Sequence, residues 1–140
     1  FGDIEKLEIL LWGPTTNVFK SWYALSEVLD LRITQYCPEE FHQNANGIKY
    51  TSKLSGKYDV VTTDAWPSGF EDSKYSLSEQ DLVDMGSPLL LPTPPVTVGQ
   101  ELQFSPRSCQ QFTGYDQKEL LLPVQQAIIS YLLQTAGNTP

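Results

Sequence analysis

Short apolar runs closed by glycine or proline alternate along this chain with amphipathic stretches. LEILLWG, residues 7–13, is continuously apolar up to Gly13-Pro14, as expected of a parallel strand buried on both faces. Thr15, Thr16 and Asn17 can cap the segment that follows. Val18, Trp22, Leu25 and Leu29 recur at helical spacing with Lys20, Ser21 and Glu27 between them, predicting an amphipathic helix over 17–29. LRITQYC, residues 31–37, predicts a second strand that Pro38 ends. Residues 39–47 predict a short helix stopping at Asn46-Gly47, and Ile48 to Thr51 a minor strand. YDVVTTD, residues 58–64, predicts a third major strand. Residues 78–85 predict a helix that Ser78 caps, with Glu79 to Asp81 favouring its start. SPLLLPTPP, residues 87–95, predicts a strand running into a proline-rich loop. The strongest helix is expected over 120–134, with Val124, Ala127, Ile128, Tyr131 and Leu132 on one face.

Strands alternating with helices predict an α/β fold, a three-layer sandwich around a mainly parallel Rossmann-like sheet with right-handed crossovers. In such sheets the functional loops leave the carboxyl ends of the strands. Here those loops are Gly13 to Asn17, Cys37-Pro38, Asp64 to Gly69 and Pro92 to Gly99. Asp64 therefore has two open roles, ligand acid or acceptor for backbone N–H groups of the following turn, and Ser68-Gly69 fits either. Trp66 is expected to pack beneath that loop. The first loop lacks GxGxxG and the lysine of a phosphate loop, so no nucleotide site is read there. His42 is expected on the surface. Neither Ser21 nor Thr93 has an identifiable base, so no nucleophilic triad is read. A cis bond is expected at Pro94-Pro95, since X-Pro bonds tolerate that form at about 0.5–1 kcal/mol.

Composition narrows the partners. The 140 residues carry a net charge of −8 and only nine lysines and arginines, which argues against nucleic acid. No apolar run reaches membrane-spanning length, so no membrane association is expected. Cys37, Cys109 and His42 cannot make a zinc site by themselves. Free thiols in an intracellular, reducing compartment are expected, with no cofactor and no metal. A first residue of Phe1, not Met, is expected of a segment of a longer protein that forms one domain over 1–140.

The order of motifs resembles the second half of the transcarbamylases, the ornithine and aspartate carbamoyltransferases, from about Leu7 to Leu133. The family's G-D-G-N-N-V-x-x-S stands here as Gly13-Pro14-Thr15-Thr16-Asn17-Val18-Phe19-Lys20-Ser21. The ornithine branch's D-V-V-x-T-D-x-W-x-S-M-G stands as Asp59 to Ser68, with Gly69 directly after and the methionine missing. The resemblance implies the amino-acid-binding domain of that family. It implies that Asn17 touches a substrate α-carboxylate and that Asp64 and Ser68 hold an α-amino group.

The next motif departs from the family. Ornithine enzymes carry H-C-L-P-A-H-R-G and aspartate enzymes H-P-L-P-R; here Pro92-Thr93-Pro94-Pro95-Val96-Thr97-Val98-Gly99 has neither the histidine nor the arginine. The arginine and histidine that precede the family's final A-Q-K-A are also replaced, within Leu121-Leu122-Pro123-Val124-Gln125-Gln126-Ala127. Carbamoyl phosphate needs donors and positive charge as its phosphate leaves. The expectation is therefore a degenerate, catalytically inactive domain with no catalytic residues, serving as an interaction or scaffolding module. Its partner is expected to be another protein or a neighbouring domain, met through the C-terminal helix. The alternatives are amino-acid sensing through Asn17, Asp64 and Ser68, or the second half of an active carbamoyltransferase.

Overall fold

The computed structural model describes residues 3–136. Residues 1–2 and 137–140 of the single domain expected over 1–140 lie outside the described residues. Strands β1 (Glu8–Trp12), β2 (Arg32–Tyr36), β3 (Ile48–Thr51), β4 (Val60–Thr63) and β5 (Leu89–Leu90) form one five-stranded sheet in the order β3-β2-β1-β4-β5. Every pairing is parallel, with Leu10 of β1 opposite Thr34 on one side and Val61 on the other. The expected α/β class with its parallel sheet is thus observed.

The apolar run of β1 serves two cores because successive side chains point to opposite faces. Ile9 and Leu11 join Ile33, Leu31 and, from helix α1 (Asn17–Leu29), Phe19 and Tyr23. Leu10 and Trp12 join Tyr36, Val61 and Leu90, and against them pack Tyr75, Leu77, Leu82, Met85 and Leu102. Leu82 comes from helix α2 (Glu79–Asp84). That helix starts where expected: Ser78 accepts from the Asp81 N–H while the Asp81 side chain accepts from the Ser78 N–H, a capping box.

Three elements differ from the sequence expectation. Helix α1 has the expected limits, but its buried residues are Phe19, Tyr23 and Ser26, while Val28 is 78% exposed. Aromatic rings at Phe19 and Tyr23 fill the space over the sheet, and Ser26 is accommodated because its hydroxyl donates to Tyr23 O at 2.8 Å. Residues 39–47 hold only a 3-10 turn at Glu39–Phe41; they are mostly polar, and their apolar residues Phe41 and Ala45 are too few to make the stripe of an amphipathic helix. The strand expected over 87–95 is regular only at Leu89–Leu90, although the Leu91 and Thr93 N–H groups still donate to Val61 O at 2.9 Å and Thr63 O at 2.8 Å before Pro94-Pro95, with no N–H to give, ends the run. The helix expected over 120–134 is observed as α4 (Leu121–Ala136), preceded by the short helix α3 (Asp116–Glu119). Pro123 is tolerated in the first turn of α4, where N–H groups lack helical partners anyway. Helix α4 is exposed at every position through residue 135. Nine apolar side chains between Leu120 and Leu133 are 52–69% exposed. Among the described residues, no helix is long and apolar enough to cross a membrane.

Both cysteines are free thiols. Burial, and then the charge of Glu40, push the Cys37 thiol from its ordinary 9.0 up to about 12. Burial likewise raises the hydroxyls of Tyr36, Tyr50, Tyr58 and Tyr75 above 10.0. These groups prefer the neutral form more strongly when folded. Their contribution is therefore complete below the unfolded values and is lost as pH climbs from about 9 toward 12. Thermal unfolding followed by circular dichroism should show a midpoint that falls steadily above about pH 9; a flat profile to pH 12 would contradict this account.

Candidate functional site

Strands β2 and β3 lie on one side of β1, and β4 and β5 on the other. The chain's crossovers thus reverse direction between β1 and β4, and a crevice opens beyond the carboxyl ends of that pair. Gly13 to Asn17 leave β1 into it, and Asp64 to Gly69 leave β4 into it. The two loops carrying Asn17, Asp64 and Ser68 therefore flank the same crevice.

The first loop is fixed by its own sequence. Gly13 has φ +118°, a left-handed conformation that disfavours side chains, and its N–H donates to Tyr36 O at 2.9 Å. A Cβ there would lie 3.8 Å from Trp66 Nε1 of the second loop. Gln35, fully buried in β2, donates through Nε2 to Gly13 O at 2.9 Å and to Thr15 Oγ1 at 3.4 Å. Its Oε1 accepts from the Tyr23 hydroxyl, which also lies 3.1 Å from Thr15 Oγ1. Thr16 caps α1 by accepting from the Phe19 N–H at 3.2 Å, leaving Asn17 exposed as the first helical residue.

The second loop is held by a residue the sequence did not flag. Glu101, 2% exposed, accepts from the Trp66 N–H through Oε1 at 3.2 Å and from the Thr97 N–H through Oε2 at 2.8 Å. The Trp66 N–H of that turn therefore goes to Glu101 and not to Asp64, one of whose two open roles was to accept such a bond. Asp64 is half-buried and Ser68 exposed. Trp66 packs under the loop as expected, edge-on to Phe70 at 4.9 Å. Its Nε1 and the Thr63 hydroxyl are buried and, among the described residues, unpartnered.

The third loop joins through Thr93, whose N–H donates to Thr63 O at 2.8 Å. The Pro94-Pro95 bond is cis, as expected. A cavity of about 350 Å³ adjoins it, walled by Pro92, Pro94, Pro95 and Phe112 and reached by Arg107 and Lys118. His42 is not simply a surface residue: it is half-buried, 3.2 Å from Cys37 O and stacked at 5.5 Å on Tyr50. Gln35 carried a usable signal, a polar residue inside an apolar strand, whereas Glu101 sits in a polar loop and carried none.

The fold and these loops define a doubly wound α/β domain with its crevice at the strand-order reversal. No protein-family model and no curated protein matches the sequence. Solved structures do match. Ornithine carbamoyltransferase from Burkholderia thailandensis aligns over 94% of this chain and 49% of its own, at 22% identity and TM-score 0.78. That from Gloeobacter violaceus aligns over 92% and 52%, at 16% identity and TM-score 0.78. That from Thermus thermophilus aligns over 85% and 45%, at 17% identity and TM-score 0.72. The chain has the carbamoyltransferase fold and spans about half the length of these structures.

These matches overturn the expectation of a non-enzyme. The folds that it shares are those of ornithine carbamoyltransferases, and nothing in the described residues shows inactivity. The physical reason lies in the third loop. Its sequence lost a histidine and an arginine, but Arg107 and Lys118 bring positive charge to its side from elsewhere in the chain.

Glu101→Ala should destabilise the domain by about 1–3 kcal/mol, the cost of leaving a part-buried N–H without its acceptor. Urea denaturation monitored by tryptophan fluorescence measures this. A change within about 0.5 kcal/mol, typical of surface substitutions, would contradict the bridging role.

Proposed function

We propose that this chain is the amino-acid-binding half of a carbamoyltransferase-type protein. The observation that carries the proposal is the meeting of the Asn17 loop and the Asp64–Ser68 loop at the strand-order reversal of a carbamoyltransferase fold. Asp64 offers a carboxylate to an ammonium group, Ser68 a hydroxyl, and Asn17 an amide donor to a carboxylate. Calorimetry with L-ornithine and L-aspartate should show saturable binding of one of them, weakened about tenfold or more by Asp64→Asn through loss of a charge-assisted hydrogen bond. Absence of heat at millimolar concentration, or an unaffected Asp64→Asn variant, would sink this reading.

The second half of the proposal concerns α4. Its exposed apolar surface is of the kind that marks a docking face, and the chain spans only about half of the matched structures. The occupant proposed is a domain corresponding to their other half, seated on Leu121, Ile128 and Leu132. Ile128→Glu with Leu132→Glu should leave the stability of the chain within about 0.5 kcal/mol, because both side chains are exposed. The same pair should abolish association with that domain in analytical ultracentrifugation. A large loss of stability would show instead that α4 is packed on its own sheet.

A further inference from the structure

Helix α1 has an apolar side that the core does not use. Val18, Trp22, Leu25 and Leu29 are the apolar stripe of its sequence, yet Phe19, Tyr23 and Ser26 are the residues it buries. Val18, Trp22 and Leu25 instead line a cavity of about 140 Å³ on its flank, with Ser21. Trp22 also lines a second cavity, of about 320 Å³, with Ile4, Leu7, Val60, Leu89 and Leu91. This one lies over the sheet. Ile9, Val60 and Leu89 stand side by side across β1, β4 and β5, on the face that α1 covers at Ile9. Val60, Leu89 and Leu91 belong to neither core. No charged residue lines either cavity. Joined at Trp22, the two form one apolar groove between the flank of α1 and β5. Helix α4 carries surface of the same kind. Its sixteen residues include no charged side chain. Its apolar residues form more than one stripe: Leu122, Ile129 and Leu133 lie about 100° around the helix from Leu121, Ile128 and Leu132. All three are more than half exposed. A helix apolar over so wide an arc needs cover on more than one side.

We propose that the groove receives helix α4 of a second copy of this chain, through Leu122, Ile129 and Leu133. The pairing is a two-fold dimer in which each copy gives its helix and takes the other's. Charge favours this occupant. Copies of net charge −8 repel one another, so they meet best through surface that carries no charge, and the groove and α4 are both of that kind. The lengths agree: sixteen residues make α4 about 24 Å long, and thirteen make α1, the groove's wall, about 20 Å. One helix in one groove is a small contact. Two such contacts related by symmetry bring the buried area to roughly 1,000 Å², the threshold of a specific interface. A dimer of that size is weak, with a dissociation constant on the order of 10 μM. It uses the stripe of α4 that the docking proposed above leaves free, so it goes beyond that reading and does not rest on it.

The test is sedimentation equilibrium of the full chain, from about tenfold below to about tenfold above that constant. The average mass should rise from 15.7 kDa toward twice that value. Leu122→Glu with Ile129→Glu on the helix, and separately Ile4→Glu with Leu25→Glu in the groove, should each weaken self-association about tenfold or more. Circular dichroism melting should stay unchanged, since these four side chains are 37–62% exposed. Mixed in equal amounts, the two variants should reach a higher average mass than either alone, because one intact helix then meets one intact groove. Ile128→Glu with Leu132→Glu adds the same charge on the other stripe and should keep self-association within about threefold of the unaltered chain. That variant is the one expected to lose the other-half domain, so failure of the dimer and failure of the docking are read separately. A chain monomeric at every concentration would overturn the proposal, as would no gain on mixing. A groove variant that dimerises normally while the helix variant does not would assign the contact to α4 against α4 and overturn it. A groove variant that loses only the other-half domain would assign the groove to that domain, with the same consequence.

Discussion

Burial of β1 on both faces is the constraint from which the other features follow. A strand with no solvent face must be flanked by strands on both edges and covered on both sides, and its backbone groups must all find partners. Here β2 and β4 supply the edges, α1 covers one face, and α2 with the 75–77 and 101–104 segments covers the other. Flanking β1 on both sides forces the chain to cross over in two directions. The crevice at its carboxyl end is a by-product of that topology, not of any particular loop sequence.

Buried polar residues then give the crevice its shape. Gln35 in β2 and Glu101 in a distant loop each reach across to a backbone that would otherwise be free to move. Gln35 fixes the β1 loop through a carbonyl and a hydroxyl. Glu101 couples the β4 loop to the β5 loop. A buried group that satisfies backbone donors or acceptors in this way positions a site without touching a ligand. Asp64 is left half-buried and Ser68 exposed.

Most of the sheet was legible because its signal is local. The runs around residues 9–12 and 60–63 are apolar enough that only buried strands fit, and the Ser78 box marks α2 without tertiary information. The errors came where three-dimensional proximity decides. The face of α1 turned on which rings fit over the sheet, not on which residues are aliphatic. The role of Glu101 depends on contacts 35 residues away, at Trp66. The charge of the β5 loop was misjudged from its own residues, because Arg107 and Lys118 enter from a separate segment. Motif loss along one stretch of sequence describes that stretch, whereas the electrostatics of a cavity belong to every segment that lines it.

Helix α4 has sixteen residues, close to the length at which an unsupported helix in water is marginal. Exposed along its length, it gains little from the domain that carries it. If a domain covers α4 as proposed, the ordering of the helix and that docking are thermodynamically linked. The free energy needed to keep α4 wound is deducted from the affinity of whatever docks there. Under the proposed docking, substitutions on α4 away from Leu121, Ile128 and Leu132 would tune the strength of assembly through helix propensity alone.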